Sequence, residues 1–420
     1  MMDAGSLVQT RELSPHERAE FLLGEEVVGV LEHQRIPFVS YPYEWSFGML
    51  RQAALLHLEI LQAAFERGFI LKDASPYNVQ FQGSRPVFID VGSFIELPQH
   101  EPWTAYRQFC ELMLFPLLLQ SYRNVHFQPL LRSQLEGIKA RQVLQWLRRR
   151  DMLRPGILTN VWLQALLEKN TQALSTSAVG DLRTSGFQSS MIRSMFQKLT
   201  RLVERLRWTP SQTQWTQYNE TLPHVAEDGN AKSQFVAQVC AARHRELVWD
   251  LGCNDGRYSK IASPQATTVI AMDQDHACVD RLFQWSRTNS SNILPLCIDL
   301  ANQSPAQGWR GAERTRLEDR GKPNLVFCLG LIHHLVLAAN IPLADVIDWL
   351  ANLGGELIIE FPSKNDAMVR ALLRNKQDQY HDYSLENLEK ELLNHFEIRA
   401  RRSLPSGDRT ILYAVPKSLT

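Results

Sequence analysis

The stretch LVWDLGCNDGRYSKIA, residues 247–262, places three apolar residues before an acid, Asp250, and a run of mostly small residues after it. The apolar run is typical of a buried strand, and the small residues around Gly252 and Gly256 are typical of a tight turn that leads into a helix. Turns between a strand and a helix cradle nucleotide-like ligands, because a backbone with small side chains can approach the ligand closely. The stretch therefore predicts a strand–turn–helix unit with a ligand site at the turn.

Short apolar runs recur from this point almost to the end of the chain, and helical stretches separate most of them. After Leu247–Leu251 these runs are Thr268–Asp273, Ile293–Asp299, Asn324–Leu329, Glu356–Phe361, Phe396–Ala400 and Thr410–Val415. The alternation predicts an α/β domain with a Rossmann-like, seven-stranded, mainly parallel sheet that helices cover on both faces. The last two runs are joined by a turn, Pro405–Asp408, so they are expected to form an antiparallel edge hairpin. Ligands of such sheets bind at the carboxyl ends of the strands.

Composition and charge exclude several classes of protein. The 420 residues carry a formal net charge of zero, so no basic field points to nucleic acid and no acidic tail points to a basic partner. No apolar run reaches the ~20 residues of a membrane span, and charges stand where a signal peptide needs an apolar segment. The six cysteines are far apart and form no Cys-x-x-Cys pair, which argues against a zinc site or a disulfide framework. We therefore expect a cytoplasmic protein without a bound metal, and its oligomeric state stays open.

The first half of the chain has a different pattern. Met49–Gly68 predicts an amphipathic helix that Gly68 stops, and two short extended pieces follow on either side of the turn QGS, residues 82–84. Asn170–Ser190 is polar and rich in Ser, Thr and Gly, which is typical of a linker or a mobile loop. We predict a helix-rich domain over residues 1–190, a connecting helix and lid over 191–235, and the α/β domain over 236–420.

The glycine pattern after Asp250 distinguishes between two kinds of ligand. A dinucleotide-binding turn has the pattern G-x-G-x-x-G, but Asn254 occupies the position of the second glycine. The pattern D-x-G-x-N-x-G resembles motif I of the class I methyltransferases that use S-adenosylmethionine (SAM). SAM carries a sulfonium and an amino-acid tail in place of a phosphate, and a carboxylate at the strand end suits its ammonium group. The resemblance implies that SAM is bound by Asp250, Gly252, Cys253, Asn254 and Gly256.

Acids also end the next two strands, where the methyltransferase fold binds the rest of the cofactor. Asp273 can accept hydrogen bonds from both ribose hydroxyls, and the alternative is an N-cap for the following helix. Asp299 matches the position that binds the adenine amino group, or it is a simple turn acid, and Leu300 would pack on the adenine ring. Leu329, at the end of the fourth strand, is assigned to the same cofactor site.

The loop LIHHL, residues 331–335, follows the fourth strand, where the methyl acceptor must meet the cofactor. We predict that His333 or His334 is a general base, because a histidine can remove a proton near neutral pH. The alternative is that one of them caps a helix or packs against Trp349. Many methyltransferases work mainly by proximity and need no base.

Two further elements face the same cleft. Glu360, which ends the fifth strand, is a candidate for binding an ammonium or hydroxyl group of the acceptor, and the alternative is a helix-capping acid. The segment Trp215–Val236 precedes the first strand of the sheet and often forms a lid over SAM in this fold. Tyr218 and Lys232 are its candidate contacts.

A second motif lies in the helix-rich half. Asp73 is followed by Asn78, and Asp90 begins DVGSF after a short strand. This arrangement resembles the catalytic loop and metal-binding segment of kinase-like phosphotransferases, in which the first Asp orients the hydroxyl and the other two residues hold Mg²⁺. A glycine-rich loop and a strand lysine are missing upstream, and Lys72 replaces the usual Arg. We therefore predict a degenerate, truncated kinase-like lobe, and the alternative is a turn whose Asp and Asn satisfy backbone groups.

The combination of the two halves resembles one group of proteins. YPYEWSF, KDASPYNVQF, VWDLGCNDG, LIHHL, EFPSKND and GDRTILY resemble a group of bacterial class I methyltransferases with a kinase-like N-terminal extension, some of them labelled NoeA-like nodulation proteins. The resemblance covers Ile36 to Val415 and implies direct methyl transfer from SAM. It does not identify the acceptor, for which we expect a small molecule, a glycan or a lipid. Two alternatives stay open: a phosphotransferase working from the N-terminal motif, and a non-catalytic SAM-binding scaffold.

Overall fold

The computed structural model describes residues 1–2, 4–21, 27–98, 103–171, 189–210, 223–377 and 379–417. The chain divides into two compact units, Met1–Thr209 and Pro210–Thr420, and buried apolar side chains fill the interior of each. The predicted lid contact Tyr218 and most of the predicted linker over 170–190 lie outside the described residues. The finer division that gives residues 191–235 to a connecting segment stays a prediction.

The N-terminal unit consists of helices around short strand pairs. Its helices are α1 (Pro15–Arg18), α2 (Phe47–Phe65), α3 (Tyr106–Phe109), α4 (Phe115–Arg123), α5 (Gln128–Ser133), α6 (Ala140–Trp146), α7 (Leu163–Thr171) and α8 (Ser189–Arg205). Its strands are β1 (Thr10–Glu12), β2 (Leu31–His33), β3 (Phe69–Leu71), β4 (Val79–Gln82), β5 (Arg85–Phe88) and β6 (Phe94–Glu96). The pairs β1–β2, β3–β6 and β4–β5 are antiparallel. π-Helical turns at Cys110–Leu114 and Ile157–Trp162 precede α4 and α7.

The predicted elements of this unit are present with shifted ends. Helix α2 begins after Ser46, whose hydroxyl accepts a hydrogen bond from the Met49 amide at 3.3 Å, and it ends three residues before Gly68, which has a φ of +80°. Strands β4 and β5 form the predicted hairpin around QGS. None of the described helices is both long and apolar enough to cross a membrane.

The C-terminal unit is built on one seven-stranded sheet. Its strands are β7 (Arg245–Leu251), β8 (Ala266–Asp273), β9 (Ile293–Cys297), β10 (Leu325–Cys328), β11 (Glu356–Pro362), β12 (Phe396–Ser403) and β13 (Arg409–Pro416). They lie in the order β12-β13-β11-β10-β7-β8-β9, and β13 is antiparallel to both of its neighbours while the other pairs are parallel. This is the Rossmann-like class I arrangement with its antiparallel edge hairpin, as the sequence predicts.

The burial of each strand explains its sequence pattern. Strands β9, β10 and β11 are buried at every position, because helices cover both faces of a parallel sheet. Strands β9 and β10 therefore read as continuous apolar runs, whereas β11 also contains Glu356 and Glu360, which pair with basic side chains. In edge strand β12, exposed positions alternate with buried or half-buried ones from Phe396 to Arg401, and the exposed side chains are mostly charged. Charges on an edge strand protect its unpaired backbone groups from pairing with other chains.

Helices connect most of the strands and position the ends that form the site. They are α9 (Pro223–Ala241) before β7, α10 (Arg257–Ala262), α11 (His276–Thr288), α12 (Leu343–Asn352), α13 (Ala367–Leu373) and α14 (Leu385–His395), with a π-helical turn at His334–Ala338 after β10. The carboxyl ends of β7, β8, β9 and β10 therefore meet at one edge of the sheet, and the strand order reverses between β7 and β10. A switch of this kind is where open α/β sheets bind ligands.

Candidate active site

A cavity of about 1170 Å³ opens at this edge of the C-terminal unit. Most of the residues predicted for the site line it: Gly252, Cys253, Asn254, Asp273, Asp299, Leu300, Leu329, His333 and His334. Lys232, a predicted lid contact, also lines the cavity, whereas Asp250, Gly256 and Glu360 do not. The predicted residues therefore fall into two groups, those that line the cavity and those that lie behind its wall. The sequence pattern does not distinguish the two groups.

The turn after β7 is held by the neighbouring strand. The amides of Gly252 and Cys253 donate to the Met272 carbonyl at 2.8 and 2.9 Å, and the Asn254 amide donates to Asp273 at 2.8 Å. Gly252 has a φ of +75°, and a β-carbon there would lie 3.4 Å from the Leu331 side chain. The turn thus needs a glycine for its backbone conformation, and it keeps the backbone open to the cavity.

Asp273 fastens this turn to the end of β8. One carboxylate oxygen accepts from the Asn254 amide and the other from the Asp275 amide, both at 2.8 Å. The alternative role as a helix N-cap is wrong, because Asp275 occupies that position and accepts from the amides of Ala277 and Cys278. Burial raises the pKa of Asp273 despite these backbone hydrogen bonds. Its carboxylate lines the cavity from a fixed position.

Asp250 lies behind the turn. It is buried and outside the cavity lining, and the hydroxyl of Ser259 in α10 donates to its carboxylate. Burial raises the pKa of Asp250 to about 7, although the Ser259 hydrogen bond opposes this shift. This side chain joins β7 to α10 beneath the turn, and its assignment to the cofactor site stays a prediction.

Gly256 also has a supporting position. Its φ is +76°, and a β-carbon there would lie 2.4 Å from the side chain of Leu282 in α11. This glycine therefore permits close packing of the turn against the next helix and does not contact the cavity. The assignment of Gly256 to the cofactor site stays a prediction, as does that of Asp250.

The far side of the cavity follows β9 and β10. Asp299 is exposed, and its carboxylate accepts from the Ala301 amide at 2.9 Å, as in a turn. Leu300 follows Asp299 in the sequence, and Leu329 follows β10. Both leucines are buried and give the cavity wall an apolar surface. A carboxylate beside two apolar side chains suits a ring with a hydrogen-bond donor at its edge.

The two histidines after β10 lie together on the cavity wall. Their rings are 4.2 Å apart between centroids, and His333 is buried with its Nδ1 unpartnered among the described residues. Neither histidine fits the alternative role of a helix cap, because the π-helical turn that follows has no side-chain cap. Burial, together with His334 and Arg409, lowers the pKa of His333 to about 3, and burial also lowers the pKa of His334. Both rings are therefore predominantly neutral at pH 7.

Glu360 lies in β11 beneath the cavity and binds two cations. Lys232 Nζ lies 3.1 Å from both carboxylate oxygens, and Arg409 Nη1 lies 3.1 Å from one of them. Arg409 also donates to Asp366 at 2.8 and 3.1 Å. Burial alone would raise the pKa of Glu360, but Lys232 and Arg409 outweigh it and hold the pKa at about 2. The carboxylate is therefore paired within this network, and its role as a contact for the acceptor stays a prediction.

The sequence interpretation missed Arg409 and Asp366, and both line the cavity. Asp366 is the helix-capping acid of this region, since it accepts from the amides of Met368 and Val369 at the start of α13. The signal for Asp366 was its position in SKND before a helix. Arg409 gave no local signal, because its partner Glu360 lies 49 residues away in the chain.

The three residues of the kinase-like motif lie in the N-terminal unit. The Asn78 amide group donates to Asp73, and the Asn78 carbonyl accepts from the Ile89 amide at 2.8 Å, next to Asp90. No group of three or more His, Cys, Asp or Glu residues suited to a metal occurs in the described part of the chain. These contacts join the loop to β5, and the kinase-like character of the unit stays a prediction.

Comparison with known proteins identifies a relative that matches the whole chain. No protein-family model matches the chain. The nodulation protein NoeA of Rhizobium meliloti (strain 1021) is 33% identical over 420 residues, which cover 100% of this chain and 88% of NoeA.

Two solved structures are similar to about half of the chain. The N-methyltransferase NodS from Bradyrhizobium japonicum WM9 in complex with S-adenosyl-L-homocysteine (SAH) is 15% identical and covers 49% of this chain and 94% of its own, with a TM-score of 0.35. Magnesium protoporphyrin IX methyltransferase (ChlM) from Synechocystis PCC 6803 with bound SAH is 19% identical and covers 50% and 90%, with a TM-score of 0.33. The similarity to NoeA extends over the full length, and the chain therefore belongs to the NoeA family.

Proposed function

We propose that this protein is a cytoplasmic methyltransferase that binds SAM at the turn after β7 and transfers its methyl group directly to an acceptor. The observation that carries the proposal is the pair formed by the open glycine turn and Asp273, which is fixed at the edge of the cavity by two backbone amides. An open turn beside an acid at the next strand end suits a ligand with a ribose and without a phosphate.

The charge and shape of the cavity also fit SAM. SAM, when bound, supplies a methyl group on a cationic sulfonium. The residues described in the lining include six aspartates and four basic residues, so its formal charge is −2, which favours a cation over a phosphate-bearing dinucleotide. Asp273 would hold the ribose hydroxyls, Asp299 the adenine amino group, and Leu300 and Leu329 the faces of the ring.

The volume leaves room for an acceptor. Ligand pockets typically measure roughly 300–1,000 Å³, and this cavity, at about 1170 Å³, exceeds that range. The remaining wall carries His333, His334 and Arg409, and the Lys232–Glu360–Arg409 network fixes its charged groups. A small molecule, or the end of a glycan or lipid, is the class of acceptor that we propose for this space.

His333 contributes to this site as a neutral hydrogen-bonding group. With a pKa of about 3, its ring is a weak base at pH 7, so it orients an acceptor hydroxyl or amine more effectively than it removes a proton. The protein's main contributions are then alignment of the two reactants and exclusion of water. Two rival functions are a phosphotransferase acting from Asp73, Asn78 and Asp90, and a SAM-binding scaffold.

The test is methyl transfer to the acceptors of the cell. The purified protein is incubated with methyl-labelled SAM and an extract of a strain that lacks the gene, and products are compared with those from an Asp273→Ala protein. We expect a labelled product that forms with the wild type and is strongly reduced with the variant. SAM binding without any labelled product would favour the scaffold, and absence of SAM binding would contradict the proposal.

A further inference from the structure

The helix formed by the π-helical turn Ile157–Trp162 and α7 has two unlike faces. Its inner face is buried at Ile157, Val161 and Ala165. Its outer face is apolar too, and 39–48% of the surface of each side chain is exposed at Leu158, Trp162, Leu163 and Leu166. These four residues, here called the Leu–Trp face, follow helical spacing and form one stripe. Solvent-exposed helix faces are normally polar, so an apolar one marks a surface that binds something.

A basic cluster adjoins the Leu–Trp face in the sequence. Arg148, Arg149 and Arg150 are exposed, and they take part in no ion pair among the described residues. Leu153, at the end of the 3₁₀ helix Arg149–Leu153, is 88% exposed. The arginine cluster therefore carries positive charge that no described acid pairs with, and Leu153 adds an exposed apolar side chain next to it in the sequence.

Acidic groups are absent from this surface within residues 148–167. The segment's acid, Asp151, is buried and paired with Arg154 at 3.2 Å and with Arg123 at 3.7 Å. The exposed positions are arginines, apolar residues, a proline and one threonine. A partner that fits this surface must therefore combine negative charge with an apolar layer.

We propose that this surface binds peripherally to anionic lipid bilayers. Trp and Leu side chains enter the boundary between headgroups and acyl chains, while neighbouring arginines pair with anionic headgroups. A second copy of the chain fits the surface less well, because a self-complementary interface would bring the arginine clusters of two chains towards each other. The described helices contain no membrane span, so the contact is with the surface of the bilayer. The proposal is independent of the methyltransferase function.

The experiment measures sedimentation of the full-length protein with vesicles. Vesicles of phosphatidylcholine alone are compared with vesicles of phosphatidylcholine and phosphatidylglycerol in a ratio of two to one. Leu158→Glu and Trp162→Glu place a charge in the Leu–Trp face at exposed positions, so the fold is retained. Leu393→Glu in α14 is the matched control, because Leu393 is 49% exposed and lies in the other unit.

We expect binding to the anionic vesicles that weakens with added salt and falls at least about tenfold in Leu158→Glu and Trp162→Glu, with Leu393→Glu unchanged. The inference is overturned by a wild type that does not sediment with anionic vesicles, or by binding that the two face variants leave intact. It is also overturned if these variants instead dissociate an oligomer in light scattering, because the face then binds a second copy.

Discussion

Two buried carboxylates of the C-terminal unit have opposite electrostatic environments. Asp250 has a hydroxyl as its hydrogen-bond partner, and burial raises its pKa to about 7. Burial acts in the same direction on Glu360, but two cations hold its pKa at about 2. The difference arises from the partners alone, since both side chains are shielded from water.

Replacing Glu360 should destabilise the protein strongly at neutral pH. Glu360→Gln leaves Lys232 and Arg409 without their shared anion, and breaking a buried pair costs about 3–5 kcal/mol. A lowered folded pKa means that the stabilisation is complete above the unfolded value of about 4.5 and is lost as the pH falls towards 2. Urea unfolding at pH 7 and pH 3 measures this. The free energy of unfolding that Glu360→Gln loses relative to the wild type should be smaller at pH 3 than at pH 7.

Glu397→Gln is the control for this measurement. Glu397 pairs with Arg399 on the exposed edge strand, and exposed pairs contribute about 0–1 kcal/mol. Equal effects of the two substitutions would show that the buried network does not stabilise the fold.

Asp250 should give the opposite pH dependence. Its folded pKa of about 7 lies above the ordinary value of 3.8, so the folded state binds more protons than the unfolded state between these pH values. The contribution of Asp250 to stability is therefore lost as the pH rises through this window. The free energy of unfolding of Asp250→Asn, taken relative to that of the wild type, should therefore rise by up to about 4 kcal/mol between pH 4 and pH 8. Denaturant titrations at both pH values measure this, and a constant difference would refute the assigned environment.

Local sequence identifies a residue's place better than its orientation. Asp273 and Asp299 could be placed at strand ends because each follows an apolar run, and both line the cavity. Asp250 also follows such a run, but the pairing with Ser259 that turns it away depends on how α10 packs. The network around Glu360 joins residues 128 and 49 positions away, and no local pattern signals such distances.

At the scale of single elements, the turn after β7 combines a conformational requirement with an open surface. Gly252 and Gly354 both have positive φ values, of +75° and +82°, but a β-carbon at Gly354 would contact nothing within 4 Å. A substitution at either glycine therefore has the same conformational cost in the backbone, but only at Gly252 would the new side chain contact a neighbouring residue, Leu331.

This difference defines a matched pair of variants. Gly252→Ala and Gly354→Ala should each lose about 1–2 kcal/mol of stability from the left-handed backbone. Only Gly252→Ala should also weaken SAH binding. The effect is roughly tenfold if the new methyl group reduces the binding free energy by about 1.4 kcal/mol. Thermal unfolding and calorimetry measure the two effects, and normal SAH binding by Gly252→Ala would remove the turn from the ligand site.

The parallel strands were the most predictable elements. The run Leu247–Leu251 corresponds to β7 with two further residues at its start, and the turn at 405–408 joins β12 and β13 as expected. The π-helical turn after β10 was not predictable, because an extra residue in a helical turn leaves the apolar pattern nearly unchanged. His334 is the first residue of this turn and His333 precedes it, and their rings lie 4.2 Å apart between centroids.

For the molecule as a whole, the two compact units raise the question of whether each binds a nucleotide. In the N-terminal unit, Asp73 accepts from Asn78, and the described residues contain no group of three or more His, Cys, Asp or Glu residues suited to a metal. We expect that ATP with Mg²⁺ does not raise the melting temperature of the wild type, since a ligand that binds the folded state must stabilise it. A shift that disappears in Asp90→Asn would contradict this expectation and would make the protein bifunctional.

The α/β half was predictable as a whole because its strands follow one another with regular helices between them. The N-terminal half was predictable only in pieces, such as α2 and the β4–β5 hairpin, since its strand pairs are short and β3 joins β6 across the intervening hairpin. The exposure of the Leu–Trp face was not predictable either, because an apolar helical stripe in a sequence is more often buried than exposed.

Calorimetric titration of the wild-type protein with SAH and, separately, with NAD tests SAM binding at the turn after β7 most directly. We predict that SAH binds at micromolar concentration, that NAD gives no heat, and that Asp273→Ala weakens SAH binding by about 1–3 kcal/mol through loss of a charge-assisted hydrogen-bond pair. Binding of NAD in the absence of any heat with SAH would contradict the account, because the turn after β7 would then serve a dinucleotide.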